Sequence, residues 1–243
     1  MILCCGEALI DMLPRTTTAG EAAFAPHAGG AIFNTAIALG RLGAGAGYFG
    51  GLSGDLFGQM LAGALAASGV DASLSPRRPR PTTLAFVQLR DGQARYAFYD
   101  EGTAGRTLSP ADLPALPDSI AALFFGGISL VGEPCGSAYE ALMLREAPAR
   151  VTMIDPNIRP GFIKDAEAHK ARMLRMAAMS DIVKFSDDDL AWIAPERSFE
   201  ALAEEWLGRG AKLVIMTRGG EGATARTKRA SVTVPAIKVP VAD

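Results

Sequence analysis

Short apolar runs alternate along this chain with stretches whose apolar residues recur at three- and four-residue spacing. The apolar runs predict strands over Ile2–Gly6, Gly47–Gly51, Ala122–Gly126, Val151–Asp155, Ile182–Phe185 and Leu213–Thr217. The helical spacing predicts helices over Ala31–Leu42, Leu56–Ala67, Gly136–Glu146, Ala166–Met179 and Phe199–Gly208. Leu123–Phe125 and Leu213–Met216 are apolar on consecutive residues, which asks for cover on both strand faces. The pattern therefore predicts an α/β fold, a mostly parallel sheet flanked by helices on both faces.

One segment breaks the alternation. Leu84–Arg90 and Gln93–Tyr99 are rich in β-formers and flank Asp91-Gly92, a two-residue hairpin signal. Glu7–Leu13 reads as a further strand. These pieces are expected to leave the main sheet as a small antiparallel β lid, with segments around residues 7–30 and 82–100, on one domain spanning 1–243. A lid that excludes water suits chemistry on a phosphoryl group that must not be hydrolysed. The only charge run, Arg77-Arg78-Pro79-Arg80-Pro81, reads as a solvated turn before the hairpin. Ser231–Val234 and Ile237–Val241 read as a β segment still under way at Asp243.

Composition narrows the classes. The 243 residues are 49% hydrophobic and 21% charged, enough to bury a core. The formal charge of -2 gives no reason to expect a nucleic-acid or membrane-surface partner. Two histidines and three cysteines without a CxxC spacing exclude the common zinc and redox motifs. The uncharged stretch Ser119–Gly132 is shorter than the roughly 18 residues that a membrane span needs. The start MILCCGEALID lacks a basic region and meets Glu7 and Asp11 early, so a cytoplasmic protein is expected. Glycine is over-used, and its clusters at 29–30, 43–58, 126–136 and 219–222 suggest loops where backbone approaches a ligand.

Five segments carry candidate chemistry. Gly29 and Gly30 expose backbone N–H groups before a helix, and Asn34 sits one turn in, which suits either a helix start or sugar hydroxyls. Asp11 follows an apolar strand, where a carboxylate can accept from vicinal hydroxyls or sit in a surface turn. Asp155-Pro-Asn-Ile-Arg159 follows the strand at 151–154, and the carboxyl end of a parallel strand is where open α/β sheets bind ligands. Arg159 suits a phosphate or the charge that develops in phosphoryl transfer. Lys184–Asp189 ends the next strand with three acids, readable as a helix cap or as a seat for hydrated Mg²⁺. Thr217-Arg-Gly219-Gly-Glu-Gly222 is either a phosphate cradle or a bare hairpin turn. The string Gly45-Ala-Gly47-Tyr-Phe-Gly50 matches GxGxxG but follows a helix and enters a strand, the reverse of a dinucleotide site.

GEALIDMLP, GGAIFNTAIALGRLG, GLSGDLFG, RPTTLAFVQL, FFGGISL, DPNIRPGF, IVKFSDDDL and TRGGEGA, in this order, resemble the ribokinase-like, or PfkB, carbohydrate kinases. Within that family the similarity is strongest to bacterial fructokinases, and it runs along essentially the whole chain. The resemblance implies a ribokinase-like fold and ATP-dependent phosphorylation of a sugar hydroxyl, with ATP and Mg²⁺, a monovalent cation as a further candidate, and a monomer or lid-mediated homodimer. It implies that Asp11, Gly29, Gly30, Asn34 and Phe98 form the sugar site and that Arg159 faces both the sugar and the transferred phosphate. It also implies nucleotide contacts from Lys184, Ser186, Thr217, Gly219 and Gly222. Asp189 stands where the family has the Glu of an Asn-x-x-Glu metal motif, and Ser186 replaces its Asn. Asp is shorter, so a contact with Mg²⁺ is expected to run through water.

The family's general base lies in a Thr-x-Gly-Ala-Gly-Asp motif after a strand that ends in Asp. Val239–Asp243 resembles the lead-in to that motif, so the base is expected beyond Asp243 and the C-terminal part of the fold is expected to be missing from this chain. The resemblance favours fructose. Asp100 and Glu101, just after Phe98-Tyr99, would repel the carboxylate of 2-keto-3-deoxygluconate. Arg95, Arg106 and Arg159 keep that acid sugar as an alternative, and a non-catalytic sugar-binding remnant is the alternative of another class.

Overall fold

The computed structural model describes residues 1–90 and 93–239, so the expected turn at Asp91-Gly92 and the end of the chain at Asp243 lie outside the described residues. Fifteen strands and six α-helices are described. In chain order they are β1 (Ile2–Cys5), β2 (Leu9–Thr16), β3 (Ala22–Gly29), α1 (Ala31–Arg41), β4 (Ala46–Phe49), β5 (Leu52–Ser53), α2 (Leu56–Ala67), β6 (Val70–Asp71) and β7 (Arg77–Arg78). There follow β8 (Thr83–Arg90), β9 (Gln93–Tyr99), β10 (Ala122–Gly126), α3 (Cys135–Glu146), β11 (Val151–Asp155), α4 (Ala166–Ala178) and β12 (Ile182–Ser186). The last are α5 (Asp187–Ile193), α6 (Phe199–Arg209), β13 (Leu213–Thr217), β14 (Ala223–Arg226) and β15 (Ser231–Val234).

The main sheet runs β15-β14-β13-β12-β11-β10-β1-β4-β6. It is parallel from β6 to β13, and β14 and β15 are added as antiparallel hairpin strands. Side chains alternate across a strand, so β1 packs two cores. Leu3 and Cys5 join α3, α4 and α6 on one face, while Cys4 joins α1 and α2 on the other. Helices thus cover both faces at β1, β4 and β10, whereas Leu213 and Ile215 of β13 are only half-buried among the described residues.

A separate sheet of order β3-β2-β8-β9 comes from the two segments expected to leave the main sheet. It corrects the expectation in one respect. Each hairpin is antiparallel, but β2 and β8 pair parallel at the centre, so this sheet is mixed. The charge run at 77–81 is only partly a solvated turn. Arg77 and Arg78 pair with Leu52 and Ser53, and the Arg78 guanidinium binds the Asp112 carboxylate and the Thr107 carbonyl. Pro79, Arg80 and Pro81 lie outside that ladder and are exposed, as a solvated turn would be. Ser231–Val234 is strand as expected, whereas Ile237–Val239 carries no strand pairing among the described residues.

Candidate active site

The loops after β11, β12 and β13 open at the carboxyl edge of the parallel sheet, where strand ends leave a crevice, and Asp11 and the Gly29-Gly30 pair reach that edge from the mixed sheet and the start of α1. They fall into two groups. The first surrounds a cavity of about 300 Å³ lined by Asp11, Gly30, Asn34, Phe98, Asn157 and Arg159, with Glu7 at its floor. Asp11 and Phe98 come from the mixed sheet. Asp11 is level with His27 and Ala85, and Ala85 with Phe98, so all four side chains leave the same sheet face. Burial pushes the Asp11 carboxyl above the ordinary aspartate range, and His27 pulls it part of the way back.

The backbone here is shaped around side chains. The Asp11 carboxylate occupies the space where a Cβ on Gly29 would stand. Gly30 has φ 107, a conformation that favours glycine, and a Cβ there would press on the Glu7 carbonyl. Asn34 follows on the first turn of α1 with its side chain exposed. Glu7 escaped the sequence analysis. Its Oε1 accepts the N–H of Ala31 at 2.9 Å and of Ile32 at 3.4 Å, and its Oε2 accepts that of Ser129 at 3.3 Å. The available signal was a lone acid directly after the apolar run of β1, a place the pattern marks as buried.

Arg159 leaves the loop after β11. Asn157 turns that loop with φ 44, and the exposed Arg159 donates to the Ile158 carbonyl at 2.9 Å. Phe98 meets Phe162 with ring centroids 3.9 Å apart, joining the mixed sheet to this loop. Beyond that pair lies a larger cavity of about 640 Å³ lined by Asp100, Arg106, Glu133, Lys164 and Arg172 among others. Its charges are matched: Arg106 with Asp100 at 2.8 Å, Lys164 with Glu101 at 3.4 Å, and Arg172 with Glu133 and Glu140.

That placement corrects the argument for a neutral sugar. Asp100 and Glu101 line the outer cavity, not the one with Asp11, and each is paired with a cation. They supply no repulsion inside the inner cavity. Arg106 is committed to Asp100 and so offers no free cation to an acid sugar either, and the Arg95 side chain lies outside the described residues.

The second group follows the ends of β12 and β13. Lys184 Nζ binds Asp155 Oδ2 at 2.8 Å and links this group to the β11 loop. Burial raises the Asp155 pKa, and Lys184 opposes the shift. Thr217 is level with Ser186 across the sheet and begins the turn into β14. Gly219 has φ 47 and open space around it, as a backbone cradle requires. Gly222 has φ 97, and a Cβ there would collide with the backbone of Val234 and Ala236, so a glycine lets the end of β15 pack on this turn.

Ser186 and Asp189 form the helix cap that is one of the two readings of this segment. Ser186 Oγ accepts the Asp189 N–H at 3.0 Å, and Asp189 Oδ2 accepts the Ser186 N–H at 2.8 Å, a reciprocal capping box at the start of α5. Asp189 Oδ1 accepts the Ile158 N–H at 2.6 Å, and the residue is 3% exposed. Each carboxylate oxygen therefore accepts one backbone amide. Asp189 holds the loop that carries Arg159 against the start of α5. Among the described residues, no group of three or more His, Cys, Asp or Glu side chains could hold a metal ion, and no helix is long and apolar enough to cross a membrane.

The chain was compared with known proteins. A family model for the pfkB family carbohydrate kinases matches residues 1–243. A fructokinase of Rhizobium leguminosarum bv. trifolii is 61% identical over 243 residues, covering all of this chain and 74% of the relative. Fructokinase-1 of Oryza sativa subsp. japonica is 35% identical over 251 residues, covering all of this chain and 78% of the relative. The crystal structure of a Xylella fastidiosa fructokinase with bound ATP superposes with a TM-score of 0.90 at 29% identity, over 100% of this chain and 76% of that one.

Proposed function

Because the chain belongs to the pfkB family of carbohydrate kinases, we propose that it transfers the γ-phosphoryl group of ATP to a hydroxyl of fructose. The observation that carries this reading is the inner cavity. It gathers a carboxylate, a carboxamide and a guanidinium under an aromatic ring at the carboxyl ends of β1 and β11. Asp11 accepts from vicinal hydroxyls, Asn34 both donates and accepts, and the Phe98 ring lies against the carbon face of the sugar. Arg159 stands at the cavity wall, where it can balance charge on the phosphoryl group in transit.

The nucleotide lies along the second group. Thr217 and the backbone at Gly219 meet phosphate oxygens, and Lys184 shares its charge between Asp155 and the phosphates. Magnesium is the cation that fits best. It binds through few protein carboxylates and mostly through water and phosphate oxygens. When bound it would neutralise phosphate charge. Asp189, whose oxygens each accept a backbone amide, is not assigned as its ligand. No side chain among the described residues is given the role of the base that takes the hydroxyl proton.

The mixed sheet is proposed as the lid of this one domain. On its other face Phe86 stacks edge-on against Phe24 at 5.0 Å and Tyr99 at 5.5 Å, and Phe24 and Tyr99 are 45% and 64% exposed. A second copy of the chain is the proposed cover for this patch, which a sedimentation experiment on Phe24→Ser would test. The substrate assignment is tested by ADP release with fructose and with 2-keto-3-deoxygluconate. A higher kcat/KM for fructose supports it, and a higher value for the acid sugar overturns it.

A further inference from the structure

Helix α1 begins without a cap of its own. Its N-cap residue is Gly30, which has no side chain, and its first turn holds no acid. The first N–H groups of a helix have no partner within the helix, and a buried helix start needs acceptors from elsewhere. Glu7 supplies them from a distant part of the sequence, through the bonds to Ala31 and Ile32. Its second oxygen reaches the Ser129 N–H after β10. One buried carboxylate thus ties the end of β1, the start of α1 and the β10 loop together. The backbone is cut to fit it: a Cβ on Gly127, which has φ 69, would collide with the Glu7 carboxylate.

Part of what this carboxylate fixes lies at the inner cavity. Gly30 and Ala31 line it, Asn34 N–H bonds the Gly30 carbonyl at 2.8 Å, and Gly29 seats the Asp11 carboxylate. A glycine pair before a helix would otherwise make an anion site. Here the protein's own carboxylate fills it, so an incoming ligand meets the hydroxyl-binding groups instead.

We propose that Glu7 is a positioning residue for the sugar site, holding the α1 N-terminus so that Gly30, Asn34 and Asp11 present their groups to the substrate. The inference rests on the reading of the inner cavity as the sugar site. Glu7→Gln is the direct test. A carboxamide can accept at one end only, so its NH2 faces either Ala31 N–H or Ser129 N–H, donor against donor. Fructose and ATP affinities are measured separately by calorimetry, beside Asp11→Asn and beside Gly127→Ala, which displaces the carboxylate without changing it. Glu7→Gln is expected to weaken fructose binding about tenfold or more and to leave ATP binding unchanged. Gly127→Ala is expected to act in the same direction, and it carries the test if Glu7→Gln does not fold. Equal weakening of both ligands would mean that Glu7 only stabilises the fold, and would overturn the inference. If Asp11→Asn weakens fructose binding but neither other variant does, the role of Glu7 falls while the site stands. If none of the three does, both fall.

Discussion

The two halves of the main sheet are built differently. β4 is buried along its whole length, and β1 and β10 at all but their first residue, because helices cover both of their faces. β12 and β13 alternate between buried and half-buried residues, with Val183, Phe185, Val214 and Met216 inside and Ile182, Lys184, Leu213 and Ile215 facing the less covered side. The site residues follow the same division. Near β1 they are fixed by backbone packed around buried carboxylates, as at Gly29, Gly30 and Glu7. Near β12 and β13 they are fixed by side-chain pairs, Lys184 with Asp155 and Ser186 with Asp189. The acceptor half is thus shaped by backbone fitted around side chains, and the donor half, among the described residues, by side-chain pairs.

Core truncations should expose this difference most strongly. Leu3→Ala removes a fully buried side chain and should cost about 2–5 kcal/mol in urea unfolding. Ile215→Ala, on the less covered face of β13, should cost clearly less. Equal losses would break the distinction between the halves.

Asp189→Ala sharpens it from the other side. It leaves the Ile158 and Ser186 amides without their acceptor, a loss of about 1–3 kcal/mol for each buried group. The freed loop should also lower kcat through Arg159 while fructose affinity changes little. A mainly metal-binding Asp189 would instead show a loss that high Mg²⁺ restores.

The smallest effect concerns Asp11. Its pKa is raised in the folded protein, so ionising it on folding costs free energy. That cost is absent below the ordinary aspartate pKa and is present in full once pH exceeds the raised value. Asp11→Asn should therefore melt slightly higher than the parent at pH 7, and the difference should vanish in acid. A lower melting temperature at pH 7 would show that the carboxylate stabilises its own site.

Much of this was legible in the sequence, for physical reasons. Continuous apolar runs such as Leu123–Phe125 reveal strands that are covered on both faces, and helix spacing at 31–42 and 56–67 marks the flanking helices to within a residue. β3 was not read as a strand, because Ala22–Gly29 carries a proline, a histidine and small residues whose only support is pairing with β2. α5 was not read because seven residues give too little periodicity, and its three acids suggested a metal as readily as a cap. Asp11, Asn34 and Arg159, singled out through the family resemblance, line one cavity. Glu7 could not be singled out, since its partners lie 24, 25 and 122 residues away. Nor could the pairing of Asp100 with Arg106, which removes the charge argument first attached to it.

The central claim is that the crevice is divided, sugar in the cavity near β1 and nucleotide along the edge at β12 and β13. The most direct test is a crossed titration of Asp11→Asn and Lys184→Met with fructose and with ATP, each measured alone. Asp11→Asn should weaken fructose binding about 10- to 100-fold, the range for a lost hydrogen bond to a charged group, and leave ATP binding as it is. Lys184→Met should weaken ATP binding and spare fructose. If each substitution weakened both ligands alike, or the two effects were exchanged, the division of the site would be contradicted.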